Sequence, residues 1–351
     1  MKKPGTRGWK KAAAELALHF PRERLHPAVV SWADSRPRSE RWGVALSGGA
    51  DSVALFLLLW AHWPSRRDRM AAYHFNHRLR GAASEADARF CRDLCRALSV
   101  PLAEGRWTAA RRVRTEAAAR AARFAFIGPE MARRRTRVLW LGHQQDDIAE
   151  SMMMRLARGS GASGLAAPRP VHAFGRPRAD SAAFHVRPLL SLKKAEIYGA
   201  LATSGAPWRE DASNADGAYF RNRVRRDVIP GWTKASGRDA LSGAALSREL
   251  LDEDDRALEA WAGALRPFGA GGSLLVGRLK GCPRAVVRRV VRQWLSRQKE
   301  GGDLSRQAFE TLLHSVELSR PVRHSLGSHG FAVIRGGKLR FESLGKPPTL
   351  H

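Results

Sequence analysis

The sequence predicts an α/β protein: a doubly wound parallel sheet of Rossmann type, then a smaller, mostly helical C-terminal domain that ends in a β-hairpin. Three observations carry this. First, the apolar run Val44-Ala45-Leu46 meets Ser47-Gly48-Gly49 and Asp51-Ser52, after which Val53 to Trp60 is wholly apolar; a buried strand, a tight turn and a buried helix follow one another directly. Second, strand-like and helix-like segments alternate from Trp42 to Pro230. Third, helical patterns dominate after Pro230 until Phe331 to Phe341, a hairpin turning at Gly336-Gly337.

Residues 1–40 carry one helix, about Trp9 to His19, and then a Pro/Arg/Ser-rich stretch that reads as irregular. Further strands are expected at Met70 to Phe75, Pro101 to Trp107, Val138 to Leu141 and Phe184 to Val186. Between them fall a helix capped by Ser84, with Ala88, Cys91, Cys95 and Leu98 on its apolar face, and a helix from Thr115 to Phe126 ended by Gly128-Pro129. A helix from Asp146 to Ala157, a loop from Gly159 to Pro170 and a helix opening at Ser191 follow. Beyond Pro230, helices run from Ser242 to Leu265 and from Pro283 to Ser296, and Ser305 caps a third. The expected domains are 1–40 (N-terminal extension), 41–232 (catalytic) and 233–351 (helical linker and substrate binding).

Lys and Arg outnumber Asp and Glu by 61 to 33 in 351 residues, a formal charge of +28. Such an excess implies a polyanionic partner. The three cysteines, Cys91, Cys95 and Cys282, form no CxxC pair and no zinc-like set, which fits a reducing cytoplasm. The longest apolar run, Val53 to Ala61, is far short of the roughly 20 residues that span a bilayer. The basic N-terminus is followed by no signal-peptide core. A cytoplasmic protein without a membrane partner is expected.

The Ser47–Ser52 turn is an anion site in outline. Its glycines admit close backbone approach, and the free N–H groups of the following helix point into it. Ser47 and Ser52 add hydroxyls, and Asp51 adds a carboxylate able to hold magnesium against phosphate. The lysine of the GxxxxGK[ST] loop is missing. Other candidates follow strands, where an open α/β sheet places ligands. They are His74-Phe75-Asn76-His77 with Arg80, His143 to Glu150, and the small basic turn Arg158-Gly159-Ser160-Gly161. Asp146, Asp147 and Glu150 share one helical face, suited to magnesium or to taking a proton from an amine, although acids in a first turn are favoured by the helix dipole in any case. Trp208 to Asn214 precedes Arg221-Asn222-Arg223-Val224-Arg225-Arg226, an arginine run with Tyr219 and Phe220 before it; it suits phosphate contact and base stacking, and a solvated basic helix start reads the same way.

SGGADS matches the SGGxDS pyrophosphate loop (PP-loop) of ATP pyrophosphatases, enzymes that adenylate a carbonyl oxygen. With it, HFNHRLR, TEAAARAARF, HQQDDIAE, RGSG, RPLL, WREDASN and RNRVR recur in an order and spacing that resemble the tRNA(Ile)-lysidine synthetase family, strongly over Trp42 to Pro230 and more loosely beyond. The resemblance implies a ligase that uses ATP to adenylate the 2-keto oxygen of the wobble cytidine in CAU-anticodon tRNA(Ile), releasing pyrophosphate. The ε-amine of free L-lysine then displaces AMP. It further implies that Ser47, Gly48, Gly49, Ala50, Asp51 and Ser52 hold the pyrophosphate of ATP, with Mg2+ on Asp51. Asp147 and Glu150 position and deprotonate lysine or share the metal, and Asn76, His77 and His143 line the adenine and base pocket. Arg80, Arg120, Arg123, Arg158, Arg221, Asn222 and Arg225 face tRNA or ATP phosphates. A homodimer is compatible with this reading.

Two residues depart from the family pattern: Arg78 stands where glycine is usual, and Gln144 where histidine is common. Rival readings are another tRNA-modifying enzyme with the same loop, notably a 2-thiolation enzyme, and a catalytically inactive RNA-binding relative. The missing CxxC weighs against sulfur transfer, and the intact Asp51, Asp147 and Glu150 weigh against an inactive chain.

Overall fold

Trp42–Ala45, the apolar run before the Ser-Gly-Gly turn, is the central strand β1 of the N-terminal unit. The computed structural model describes residues 5–78, 81–107, 115–174, 182–210, 219–298, 304–327 and 330–343. Around β1 lie β2 (Met70–Asn76), β3 (Leu102–Arg106), β4 (Val138–Trp140), β5 (Val171–Phe174) and β6 (Ala183–Val186), in the order β3-β2-β1-β4-β6-β5. All neighbours are parallel except β5 and β6. This is the doubly wound sheet expected, with β5 as an antiparallel edge strand that the sequence reading assigned to no element. The strand order reverses at β1 and β4, so the loops after these two strands open the crevice where such folds bind ligands.

Helices α1 (Thr6–His19), α2 (Pro27–Asp34), α3 (Ala50–His62), α4 (Ala82–Ala97), α5 (Glu116–Arg133), α6 (Gln145–Leu156), α7 (Ala162–Leu165) and α8 (Lys194–Thr203) accompany the sheet. Every residue of α3 from Ser52 to Trp60 is buried, because α1 covers the side that the sheet does not, with Trp9, Ala12, Ala13 and Leu16 in the same core. A helix apolar on all sides needs such double cover. Trp42, Trp63 and Trp140 pack together there, with ring centroids 4.6 to 5.9 Å apart.

Four expectations need correction. The stretch after α1, read as irregular, holds α2, whose Pro27 starts the helix and whose Val29 and Ala33 reach the core. Helix α5 does not end at Gly128-Pro129. It runs through Pro129 to Arg133 because Ile127 and Met131 are buried beneath the sheet, which offsets the hydrogen bond lost at proline. Ser84 lies inside α4, which starts at Ala82, and does not cap it. Helix α8 begins at Lys194, where Glu196 accepts from the Lys193 N–H; Ser191 instead donates to the Arg24 carbonyl in the preceding turn.

Helix α9 (Phe220–Arg223), one π-helical turn (Val224–Val228) and α10 (Ile229–Ser236) follow. The two compact units are Met1–Leu251 and Asp252–His351, so the division falls within α11 (Ala240–Ala264). In the second unit, α12 (Arg284–Arg297) and α13 (Arg306–Glu317) bury Val286, Val290, Trp294, Phe309 and Leu313 against one face of a sheet. Its strands are β7 (Leu274–Leu275), β8 (Val322–Ser325), β9 (Gly330–Arg335) and β10 (Lys338–Ser343), ordered β7-β10-β9-β8. The expected hairpin is β9-β10, turning at Gly336-Gly337; β7 and β8 extend it to four strands.

Candidate active site

Ser52, on the first turn of α3, organises the loop that precedes it. Its hydroxyl accepts from the Ser47 and Gly48 N–H groups, both at 3.2 Å, and donates to the Gly49 carbonyl at 2.9 Å. The Ser47 hydroxyl lies 3.0 Å from it and accepts from the Gly49 N–H. Gly48 takes φ +93°, a conformation that a side chain would strain. From outside, the Arg209 N–H donates to the Gly48 carbonyl at 2.8 Å while its guanidinium bonds Asp87 at 2.8 Å, so Arg209 latches the loop.

The end of β4 runs directly against this loop. A Cβ at Gly142 would stand 2.8 Å from the Asp51 carbonyl oxygen, so glycine is what lets the strand pass. Next, Gln144 caps α6: its side chain accepts from the Asp146 N–H at 2.5 Å, and Asp147 accepts from the Gln144 N–H at 3.0 Å. Asp146 accepts from the Lys194 N–H at 2.9 Å, tying α6 to α8.

The two remaining acids of α6 are closed by arginines. Arg221 donates to Glu150 at 2.7 Å and to Asp147 at 2.6 Å, and Arg225 donates twice to Glu150, at 2.5 and 3.0 Å. The Glu150 side chain is only 2% exposed. Burial lowers the Arg225 pKa, but its bonds to Glu150 outweigh this and raise it. Asp51 is different. Burial, and then the Asp147 charge, push its pKa up to about 7, with Lys194 and Arg225 pulling the other way, and its Oδ1 is buried without a partner. Its environment asks for a cation.

His143 sits beyond β4 with Arg187, which is 5% exposed. Arg187 Nε donates to His143 Nδ1 at 3.0 Å, and its Nη1 donates to the Arg169 carbonyl at 2.7 Å. A guanidinium only donates, so Nδ1 carries a lone pair and the ring proton is on Nε2. Burial, and then the charge of Arg187, hold His143 well below the usual imidazole range. Arg221, Arg120 and Arg123 act on it in the same sense. Arg187 and Arg123 are themselves lowered to about 10, by burial first and then by Arg120. Several guanidiniums thus crowd one place with few acids, an arrangement that favours polyanions.

The structure therefore groups Ser47 to Ser52, Asp51, Asp147, Glu150, His143, Arg120, Arg123, Arg221 and Arg225. Asn222, half-buried, lies on α9 between the two node arginines. Asn76 is buried and spends its side chain locally, donating to the Ser84 carbonyl and Glu85 and accepting from the Arg78 N–H. His77 stands edge-on to Phe75 and Trp107. Arg158 is exposed, its guanidinium 6.0 Å from the centre of the Phe220 ring. Arg80 and residues 211–214 lie outside the described residues. Sequence reasoning missed Gly142, Arg187, Lys194 and Arg209 as site residues. RPLL and WREDASN flagged two of these as motifs, but no local pattern announced their partners. Among the described residues, no cluster of three or more acids, histidines or cysteines forms a ready metal site.

Comparison with known proteins agrees with this geometry. A family model described as a PP-loop domain matches residues 23–232, more than half of the chain. The tRNA(Ile)-lysidine synthase of Geobacter sulfurreducens is 38% identical over 282 residues, covering 77% of this chain and 57% of that protein. The enzyme of the same name from Symbiobacterium thermophilum is 34% identical over 332 residues, covering 90% and 66%. The chain thus spans about three fifths of the length of these relatives, 57% and 66%. The fold is also similar to that of the U34-tRNA thiolase NcsA from Methanococcus maripaludis, with TM-score 0.50 and 15% identity over 70% of this chain and 80% of that one. Loop, strand order and family match agree, and the chain belongs to the PP-loop family.

Proposed function

We propose that this chain is an ATP-dependent ligase that joins free L-lysine to the 2-position of the wobble cytidine in CAU-anticodon tRNA(Ile), in the cytoplasm. The observation that carries the reading is the Ser47–Ser52 loop lying beside an acid pair that already binds two cationic side chains. In the first step the cytidine 2-oxygen attacks the α-phosphorus of ATP, and the bond to pyrophosphate breaks. The first turn of α3 holds the departing pyrophosphate through its backbone N–H groups, since those of Ser47, Gly48 and Gly49 are taken by the two serine hydroxyls that shape the loop. Arg120 and Arg123 face the other phosphates, with Lys194 as an added cation near Asp51. Mg2+ fits at Asp51, whose buried Oδ1 lacks a partner, and would offset the charge that grows on the phosphates.

In the second step the lysine ε-nitrogen attacks C2, the C–O bond breaks and AMP leaves. The amine must first lose a proton, and Asp147 and Glu150 are the acids at hand. They hold Arg221 and Arg225 in the absence of substrate, so the lysine ammonium shares or displaces those guanidiniums, which then turn to the tRNA or the adenylate. His143, with its proton on Nε2, acts as a donor to substrate oxygen and not as a base. In this reading residues 41–232 do the chemistry and 233–351 bind tRNA, and the chain works without a membrane; no helix among the described residues is long and apolar enough to cross one.

The test is incubation with CAU-anticodon tRNA, ATP and labelled lysine. Label at the wobble cytidine supports the reading. Tight, ATP-independent tRNA binding without incorporation would establish an RNA-binding relative instead.

A further inference from the structure

The C-terminal sheet turns one face to its helices and the other outward, and the outward face has an unusual composition. Ala332, Ile334 and Leu339 point into the core, so their neighbours along β9 and β10 point away from it. Strand pairing then fixes the outward pattern. Val333 lies opposite Arg323 on one side and Arg340 on the other, Arg335 lies opposite Lys338, and Phe331 lies opposite Ser325 and Glu342. Phe331 and Val333 are half-buried at the centre, while Arg323, Arg335, Lys338 and Arg340 around them are exposed. Glu342 is the lone acid in this set.

Two arginines on the helix side of the same unit are neutralised by acids. Arg284 pairs with Glu310 and Glu317, and Arg289 with Asp255 and Glu259. Among the described residues, Arg335, Lys338 and Arg340 meet no carboxylate, and Arg335 stands directly against Lys338. Like charges opposite each other weaken a hairpin, so the fold gains nothing from this arrangement. Arg323 is the exception: its guanidinium lies 3.3 Å from the Phe331 ring centre, with Nε 3.4 Å from Glu342. That holds a cation over the Phe331 ring. Such a surface, with an aromatic and an apolar side chain ringed by open cations, combines phosphate contacts with a stacking platform.

We propose that this sheet face docks RNA. Arg335, Lys338 and Arg340 contact backbone phosphates, and the Arg323–Phe331 stack takes an unpaired base or a sugar edge. The inference rests on the proposed function for the identity of the RNA: a part of the substrate tRNA outside the anticodon stem-loop.

The experiment compares the full chain with R335Q/K338Q/R340Q, using transcribed CAU-anticodon tRNA and, separately, its isolated anticodon stem-loop. At about 0.15 M salt the triple variant should bind whole tRNA about 10- to 100-fold more weakly, with a salt slope shallower by about 2 to 3. Stem-loop binding should stay unchanged, and R335K/R340K should keep the parent slope. The triple variant should melt no lower than the parent, since an opposed charge pair is gone. An unchanged whole-tRNA dissociation constant and slope would overturn the inference, as would an equal loss for the stem-loop. A parent that binds no tRNA at all would overturn the proposed function itself.

Discussion

The hydrogen bonds that bend the loop at Ser47 are made by its own two serines, whereas the Asp147–Glu150 node is closed by arginines 71 to 75 positions further along the chain. The loop is encoded locally: Ser52 reaches back over five residues and satisfies the turn from within its own stretch of sequence. The node exists only once α9 and its π-helical turn have docked on α6. One part is a preformed anion cradle. The other is a cation site held shut by the protein's own cations, so substrate must compete for it. The two halves of the proposed reaction would thus meet different barriers, a preorganised one for ATP and an exchange of partners for lysine.

The largest expected effect tests the node. Replacing Glu150 by Gln leaves Arg221 and Arg225 facing each other with their principal carboxylate gone, which should cost about 3–5 kcal/mol in urea unfolding. A loss below about 1 kcal/mol would mean that the arginines are satisfied elsewhere.

Asp51 joins the two parts, and pH reads it. Its folded pKa of about 7 lies above the ordinary 3.8, so the folded state holds this proton to higher pH than the unfolded chain. The resulting stability is fully present below about pH 4 and is lost as pH rises through 7. Asp51→Asn should therefore match the parent in acid and exceed it above neutrality by roughly 2–4 kcal/mol, while abolishing pyrophosphate release. Equal midpoints at pH 8 would remove the argument for an uncompensated carboxylate.

Ser52→Ala should cost about 1–2 kcal/mol and weaken ATP binding more than tRNA binding, since the loop loses its organiser. The smallest effect concerns Arg78, which takes φ +53° with its N–H on the Asn76 side chain. Arg78→Gly should stabilise by about 1 kcal/mol in thermal melting. A loss of stability there would show that the Arg78 side chain makes contacts worth more than the strain.

How much was legible follows the same division. The strand, the glycine turn and the apolar helix after it could be read because their causes are contiguous. So could the helix expected from Pro283 to Ser296, which is α12, and the acids of α6. That Arg221 and Arg225 close on Asp147 and Glu150 could not be read, because charge patterns name what a residue can bind and not which partner the fold will supply. The arginines were expected to face phosphate, and the structure pairs them with the acids. Gly142 passed unnoticed because its reason, the Asp51 carbonyl oxygen, belongs to the first turn of α3, remote in sequence. Arg78 was noted only as a departure from the usual glycine, and the structure gives it the left-handed backbone that glycine adopts more readily.

The central claim is that the loop and the node serve separable steps. It is tested most directly by mixing the chain with CAU-anticodon tRNA and ATP labelled at the α-phosphate, with lysine left out. The account predicts label on the tRNA, stable until unlabelled lysine is added and then released as AMP. No label on the tRNA, or release that proceeds equally well without lysine, would contradict it.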